Sequence, residues 1–353
     1  MGPHRGLYRH HGISGLLLGQ RGPQWQRVLR GGLVRVGGVR QAAGRLTLVP
    51  GIVPISSRLA LLLLLVLALA RPASAEEVVH EHNGLDLVGN LEIAREKTLE
   101  KDGVVLLLHG TLAHHRMEII AGLQQALKSR GLNSLAITLS LGLDRRKGMF
   151  DCALEHDHRH TDAVDEIEAW VGWLKSKGAK SITVGGHSRG GHQAALYIAE
   201  KGTDAVSRLV LVAPLTMEAA EVAAQYLKSH KTGLAPILAS AKAAVDGGDG
   251  DLLLEKTAFL HCPAAKVTAA AFLDYYAPEP KHSLAEQLRS AKVPTLLVTG
   301  TQDDVVPDLA GRLRRMQLPS SVEIAVVDGA DHFFRDLYLD DVAEEIKSFS
   351  QKK

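Results

Sequence analysis

The sequence predicts an α/β fold, a mostly parallel sheet covered by helices on both faces. Three observations predict it. Short, almost purely apolar runs recur along the chain, as in strands buried on both faces. Between them lie stretches with apolar residues at helical spacing, several ended by glycine. The two kinds alternate from Leu85 to the C-terminus, and such alternation builds a parallel sheet with crossover helices.

The elements follow in order. LDLVGNLEIA (85–94) reads as an early strand, with a hairpin as one option. GVVLLLHG (103–110) is a buried parallel-type strand, and residues 117–130 form a helix stopped at Gly131. LNSLAITLS (132–140) is the next strand. Residues 161–177 form a helix with Val164, Ile167, Val171 and Leu174 on one face, stopped at Gly178. SITVGG (181–186) is a strand, and residues 191–201 a helix. RLVLVAPL (208–215), VPTLLVTG (293–300) and VEIAVVDG (322–329) are further strands, and residues 337–350 a closing helix. Residues 216–292 interrupt the rhythm without a strong buried strand and read as a helical insertion. Its DGGDGD loop (246–251) lacks the twelve-residue calcium pattern ending in a bidentate Glu.

Composition is that of a globular chain, 46% hydrophobic and 23% charged over 353 residues. The net charge of +2 conceals an asymmetry: residues 1–75 hold ten arginines and no Lys, Asp or Glu. After Ala75 the charge is about −8, which gives no reason to expect a nucleic-acid partner. Arg58, the apolar run 59–70 and the RPASA segment 71–75 are the positive flank, core and Ala-x-Ala site of a secretory signal peptide. Residues 58–75 are therefore read as that signal, cleaved after Ala75. The body, 76–353, is then exported to the periplasm or secreted, with no stable membrane span. The twelve-residue apolar core is shorter than the ~20 residues of a spanning helix; an uncleaved anchor is the alternative. Residues 1–57, basic and Gly/Arg-rich, are read as lying upstream of the true start, with a disordered arm or part of a transit sequence as the alternative. Cys152 and Cys262 either pair, as an oxidising compartment permits, or stay free and buried.

The chemistry centres on Gly186-His187-Ser188-Arg189-Gly190, a G-x-S-x-G between a strand and a helix. On so sharp a turn, Gly186 and Gly190 relieve crowding while the Ser188 hydroxyl is lifted above the sheet edge. The Arg189 N–H then lies at a helix N-terminus, facing a developing oxyanion. A helix-capping serine is the plainer alternative. A serine nucleophile needs a base, and the base an orienting acid. Asp303 follows the strand 293–300, and His332 follows the strand 322–329. The order Ser188, Asp303, His332 is that of the α/β-hydrolase triad.

These motifs resemble the α/β-hydrolase superfamily over nearly the whole of residues 76–353. His109-Gly110-Thr111 resembles the family's His-Gly oxyanion loop, Gly300-x-x-Asp303 its acid loop, and Gly329-Ala-Asp-His332 its histidine loop. The resemblance implies a mostly parallel sheet of about eight strands, a cap at 216–292, and Thr111 N–H beside Arg189 N–H as oxyanion donors. It implies two-step acyl transfer through acyl-Ser188, with no cofactor or metal.

Competitors exist for each role. Asp304 adjoins Asp303, but the family pattern favours Asp303. Asp331 is read as stabilising its loop, His187 as packing or lining the pocket, and His192 as structural. EHDHRHTD (155–162) could bind zinc or copper, but alternation in a loop splays ligands apart, so it is read as a polar loop with Thr161 or Asp162 at a helix N-cap. His114-His115 either shapes the pocket or is exposed. The expected substrate is a small-molecule carboxylic ester or thioester. A peptidase or amidase of the same fold, or a non-catalytic binding module, is the alternative; the oligomeric state is not legible.

Overall fold

The computed structural model describes residues 75–202 and 206–352. The basic extension and the signal segment up to residue 74 lie outside the described residues. The strands are β1 (Ala75–His82), β2 (Leu85–Glu92), β3 (Val104–Leu108), β4 (Ser134–Thr138), β5 (Glu155–His156), β6 (Ile182–His187), β7 (Val206–Val212), β8 (Leu253–Phe259), β9 (Cys262–Thr268), β10 (Thr295–Gly300) and β11 (Val322–Val327). The helices are α1 (Leu99–Asp102), α2 (Glu118–Ser129), α3 (Asp162–Ser176), α4 (Arg189–Glu200), α5 (Ala219–His230), α6 (Leu234–Asp246), α7 (Ala269–Tyr276), α8 (Leu284–Ser290), α9 (Leu309–Arg315) and α10 (Tyr338–Gln351).

Among the described residues the main sheet has eight strands in the order β1-β2-β4-β3-β6-β7-β10-β11. From β4 onward the pairs are parallel; β1–β2 and β2–β4 are antiparallel. The β1–β2 hairpin turns on Asn83 and Gly84, at φ 51° and 80°. Asn-Gly is the pair that a two-residue turn of this twist favours.

The alternation of β3 sets the layers. Leu106 and Leu108 face one core with Ile167, Trp170 and Leu174 of α3 and Leu196 of α4. Val105 and Leu107 face another with Ile120 and Leu123 of α2 and Ile346 of α10. A strand buried on both sides has no polar face to show, which is why its sequence is a continuous apolar run. Burying one such Leu contributes roughly 1.5–3 kcal/mol. No helix among the described residues is long and apolar enough to cross a membrane.

The insertion differs from the all-helical expectation. It holds α5, α6, α7 and α8, but also the antiparallel pair β8–β9, which β5 extends in parallel to a three-stranded sheet. These strands are half exposed, with Glu255 and Lys256 facing solvent, so they lack the apolar run of a buried strand. A disulfide joins Cys152 to Cys262 across a separation of 110 residues and ties β9 to the loop before β5.

Candidate active site

The candidate residues stand at the C-terminal ends of neighbouring parallel strands, where open α/β sheets bind ligands. Ser188 ends β6 and is the N-cap of α4, at φ 56° and ψ −121°. For a residue with a Cβ this left-handed conformation is strained. It is held by Ser188 N–H donating to Val212 O at 2.9 Å and by Leu215 and His192 N–H donating to Ser188 O at 3.3 and 3.2 Å. The expected role of the glycines is met sterically. A Cβ on Gly190 would stand 2.2 Å from His109 O, and one on Gly186 2.4 Å from the Gly190 carbonyl.

Asp303 is buried and Asp304 exposed, which separates the two neighbours. Asp303 Oδ2 accepts from His332 Nδ1 at 2.8 Å. Its Oδ1 accepts from the Val305 and Val306 N–H groups at 2.9 and 2.7 Å. Burial raises the Asp303 pKa, but the bond from His332 and those from the two N–H groups outweigh it and leave it lowered. With the Nδ1 proton committed to Asp303, Nε2 is the ring nitrogen left to accept a proton. The acid and histidine loops are fastened together by Gln302 N–H donating to Ala330 O at 2.9 Å. Gly300 makes room for that approach, since a Cβ there would lie 2.4 Å from Ala330 O.

His187, the residue before Ser188, has its ring 4.7 Å from that of His332. The last bond, Ser188 Oγ to His332 Nε2, is not made among the described residues; such contacts often tighten only with substrate bound. Ser188 is 7% and His332 3% exposed, so the site is nearly closed. A separate cleft of about 160 Å³, lined by Met117, Ile119, Phe333 and Leu339, reaches neither Ser188 nor Asp303.

The Thr111 and Arg189 N–H groups donate to no group among the described residues. The side chains of the two residues are joined by Arg189 Nε, which donates to Thr111 Oγ1 at 3.1 Å. The Thr111 loop is braced from behind. His109 Nδ1 donates to Gly110 O at 2.8 Å, so its Nε2 accepts, from Leu139 N–H at 3.1 Å and Arg146 Nη2 at 3.2 Å. Burial, then the Arg146 charge, push the His109 pKa well down and keep it neutral. Arg146 is itself buried, its pKa lowered by burial to about 10. Nearby Glu166 is pushed up by burial to about 7, against hydrogen bonds from the Ser140 N–H and hydroxyl.

The histidine-rich segment departs from the polar-loop expectation. Glu155, Asp157 and Arg159 are exposed, while His156, His158 and His160 are all buried. Strict alternation puts the three rings on one side, toward the insertion. His158 Nδ1 meets the Tyr275 hydroxyl at 2.9 Å, and His160 Nε2 donates to His192 Nδ1 at 2.8 Å. His192 Nε2 in turn donates to His282 O at 2.7 Å. Burial lowers the pKa of His156 to about 4 and of His158 and His192 to about 3. The H-x-H-x-H period was the signal that would have found this cluster. Thr161 does stand at the N-cap of α3. His115 is buried against Thr138 Oγ1, with its N–H donating at 3.0 Å, and does not line the site. Asp331 accepts from Phe333 N–H at 2.9 Å, as a loop-stabilising group would. Among the described residues, the group of His, Cys and acidic ligands close enough for a metal is Cys152, His261 and Cys262, whose two sulfurs are bonded to each other.

Residues 105–345 match a family model described as the alpha/beta hydrolase family, and the chain belongs to that family. Est1E from Butyrivibrio proteoclasticus is 20% identical, with a TM-score of 0.55 over 78% of this chain and 98% of its own. The esterase domain of a Rhodothermus marinus protein is 16% identical, with a TM-score of 0.51 over 78% of this chain and 98% of its own. A putative hydrolase from Agrobacterium vitis is 17% identical, with a TM-score of 0.53 over 79% of this chain and 99% of its own. At these identities the likeness is one of fold. No curated protein matches the sequence.

Proposed function

We propose that the protein is a serine hydrolase that cleaves small carboxylic esters or thioesters. The observation that carries this reading is the His332–Asp303 pair, 2.8 Å apart, beside a serine held at φ 56° on a strand–helix turn. Ser188 Oγ attacks the carbonyl carbon, and its proton passes to His332 Nε2. Asp303 holds the imidazole in the required tautomer and stabilises its cation. The unpaired Thr111 and Arg189 N–H groups receive the oxyanion. The proton then leaves with the alcohol or thiol, and the acyl group stays on Ser188. Water attacks the acyl carbon with His332 again as base; the acid departs and the serine proton returns. The neighbour whose title names an esterase domain, that of the Rhodothermus marinus protein, agrees with an ester substrate. The Cys152–Cys262 disulfide supports export to an oxidising compartment.

The test is turnover of p-nitrophenyl acetate, a matching thioester and a matching anilide. The reading expects hydrolysis of the first two, lost in Ser188→Ala and His332→Ala. Amide cleavage at a comparable rate would make the protein an amidase. Ester turnover that survives both substitutions would overturn the proposed roles.

A further inference from the structure

Beside Ser188 lies a positive charge that no acidic group among the described residues balances. The Arg189 guanidinium is bonded through Nε to Thr111 Oγ1, and its Nη1 faces His160 Nδ1 at 3.5 Å and Met217 Sδ at 3.9 Å. Its Cζ lies over the Tyr275 ring, 5.2 Å from the centroid. Nη2, with two N–H donors, has no acceptor among the described residues, and no carboxylate pairs with the group. Nor does Thr111 Oγ1 pass its own proton to any described acceptor. The surroundings deepen the imbalance. His158, His160 and His192 all feel the Arg189 charge as a repulsion and are held neutral chiefly by burial. The buried cation of this region, Arg146, is different from the half-buried Arg189: it has Glu166 within electrostatic reach and three backbone carbonyls as acceptors.

A guanidinium partly withdrawn from water without a counter-charge is open to an anionic partner. Its fork geometry suits a carboxylate, and charge-assisted bonds of that kind are among the strongest in proteins. The side chain also belongs to the residue that follows the nucleophile, so an anion bound there lies next to the reacting carbonyl. We propose that Arg189, with the Thr111 hydroxyl, is a specificity-determining site for a carboxylate, and that the preferred substrate is an ester carrying a free carboxylate group. This rests on the serine-hydrolase reading. The carboxylate can belong to the acyl part or to the alcohol part of the ester, and the assay separates the two.

The experiment compares kcat/KM of the full chain for two matched pairs. On the acyl side the pair is p-nitrophenyl hemiglutarate and p-nitrophenyl valerate. On the alcohol side it is 4-acetoxybenzoate and phenyl acetate. Fluorophosphonate labelling of Ser188 is measured in parallel. The proposal expects an anionic-to-neutral ratio of roughly 10–100 in one pair, the range of one charge-assisted bond. Arg189→Met collapses that ratio to about 1. Arg189→Lys, which keeps the charge and loses the fork, lowers it several-fold and serves if the Met variant does not fold. A wild type that labels at Ser188 but prefers both neutral esters overturns the carboxylate site and leaves the hydrolase reading standing. So does a ratio unchanged in either variant. A wild type that neither labels nor turns over any of the four esters overturns both.

Discussion

His187 Nε2 donates a hydrogen bond to the main-chain carbonyl of His332 at 2.9 Å. The residue before the candidate nucleophile therefore holds the backbone of the candidate base. His187 is buried and its pKa is lowered to about 3, first by burial and then by the neighbouring His332, so it stays a neutral donor. Two loops that are 145 residues apart in sequence are thereby placed in register, with no ion pair to screen.

Asp303 and Asp304 separate by substitution. Asp303→Asn keeps the shape but removes the charge that fixes His332. Ester turnover in this variant is expected to fall about 10³- to 10⁴-fold. Asp304→Asn, on an exposed residue, changes it less than about twofold. Equal losses in steady-state assays would refute the assignment.

Gly190→Ala places a methyl group 2.2 Å from His109 O, a backbone atom at the end of β3 that cannot swing aside. The expected cost is roughly 1–3 kcal/mol, together with loss of turnover. Gly172 on α3 is the control, exposed and with nothing within 4 Å of its Cβ position. Gly172→Ala is expected to gain about 0.5–1 kcal/mol. Urea unfolding of the two variants measures both.

The Cys152–Cys262 bridge closes a loop of 110 residues, for which chain entropy predicts roughly 4–5 kcal/mol of stabilisation. Reduction, or Cys152→Ser with Cys262→Ser, should lower the melting temperature by roughly 10 °C. An unchanged melting temperature would mean that the reduced chain loses nothing by leaving the insertion untied.

Acid should loosen the fold through its histidines. His158, His187 and His192 have folded pKa values of about 3, below the ordinary value near 6.5. The unfolded chain therefore binds protons that the folded chain refuses. The stability of the neutral rings is complete above about pH 6.5 and is lost as pH falls below it, by up to about 1.4 kcal/mol per pH unit for each ring. Melting curves from pH 7.5 to 5 should fall steadily. A flat profile would contradict the burial of these rings as neutral groups.

The parallel strands, the α/β class and the positions of Ser188, Asp303 and His332 were legible because each leaves a local mark. Doubly buried strands are apolar runs, and a tight turn needs its glycines. The three-stranded β5-β9-β8 sheet was not legible, because β8 and β9 are half exposed and β5, which pairs with β9, lies about a hundred residues away in sequence. The pairing of Cys152 and Cys262 is equally non-local. The burial of His156, His158 and His160 was misread: alternation was taken to scatter ligands, whereas with one side packed it gathers them. The Gly300-x-x-Asp303 spacing already favoured Asp303 over Asp304, and the burial of Asp303 beside an exposed Asp304 agrees with it.

The central claim is that Ser188 is an activated nucleophile. Fluorophosphonate labelling of the full chain, with the modified residue located by peptide mass spectrometry, tests it most directly. The account predicts a single adduct on Ser188, absent in Ser188→Ala and strongly slowed in His332→Ala. A folded wild type that stays unlabelled, or an adduct on another residue, would contradict it.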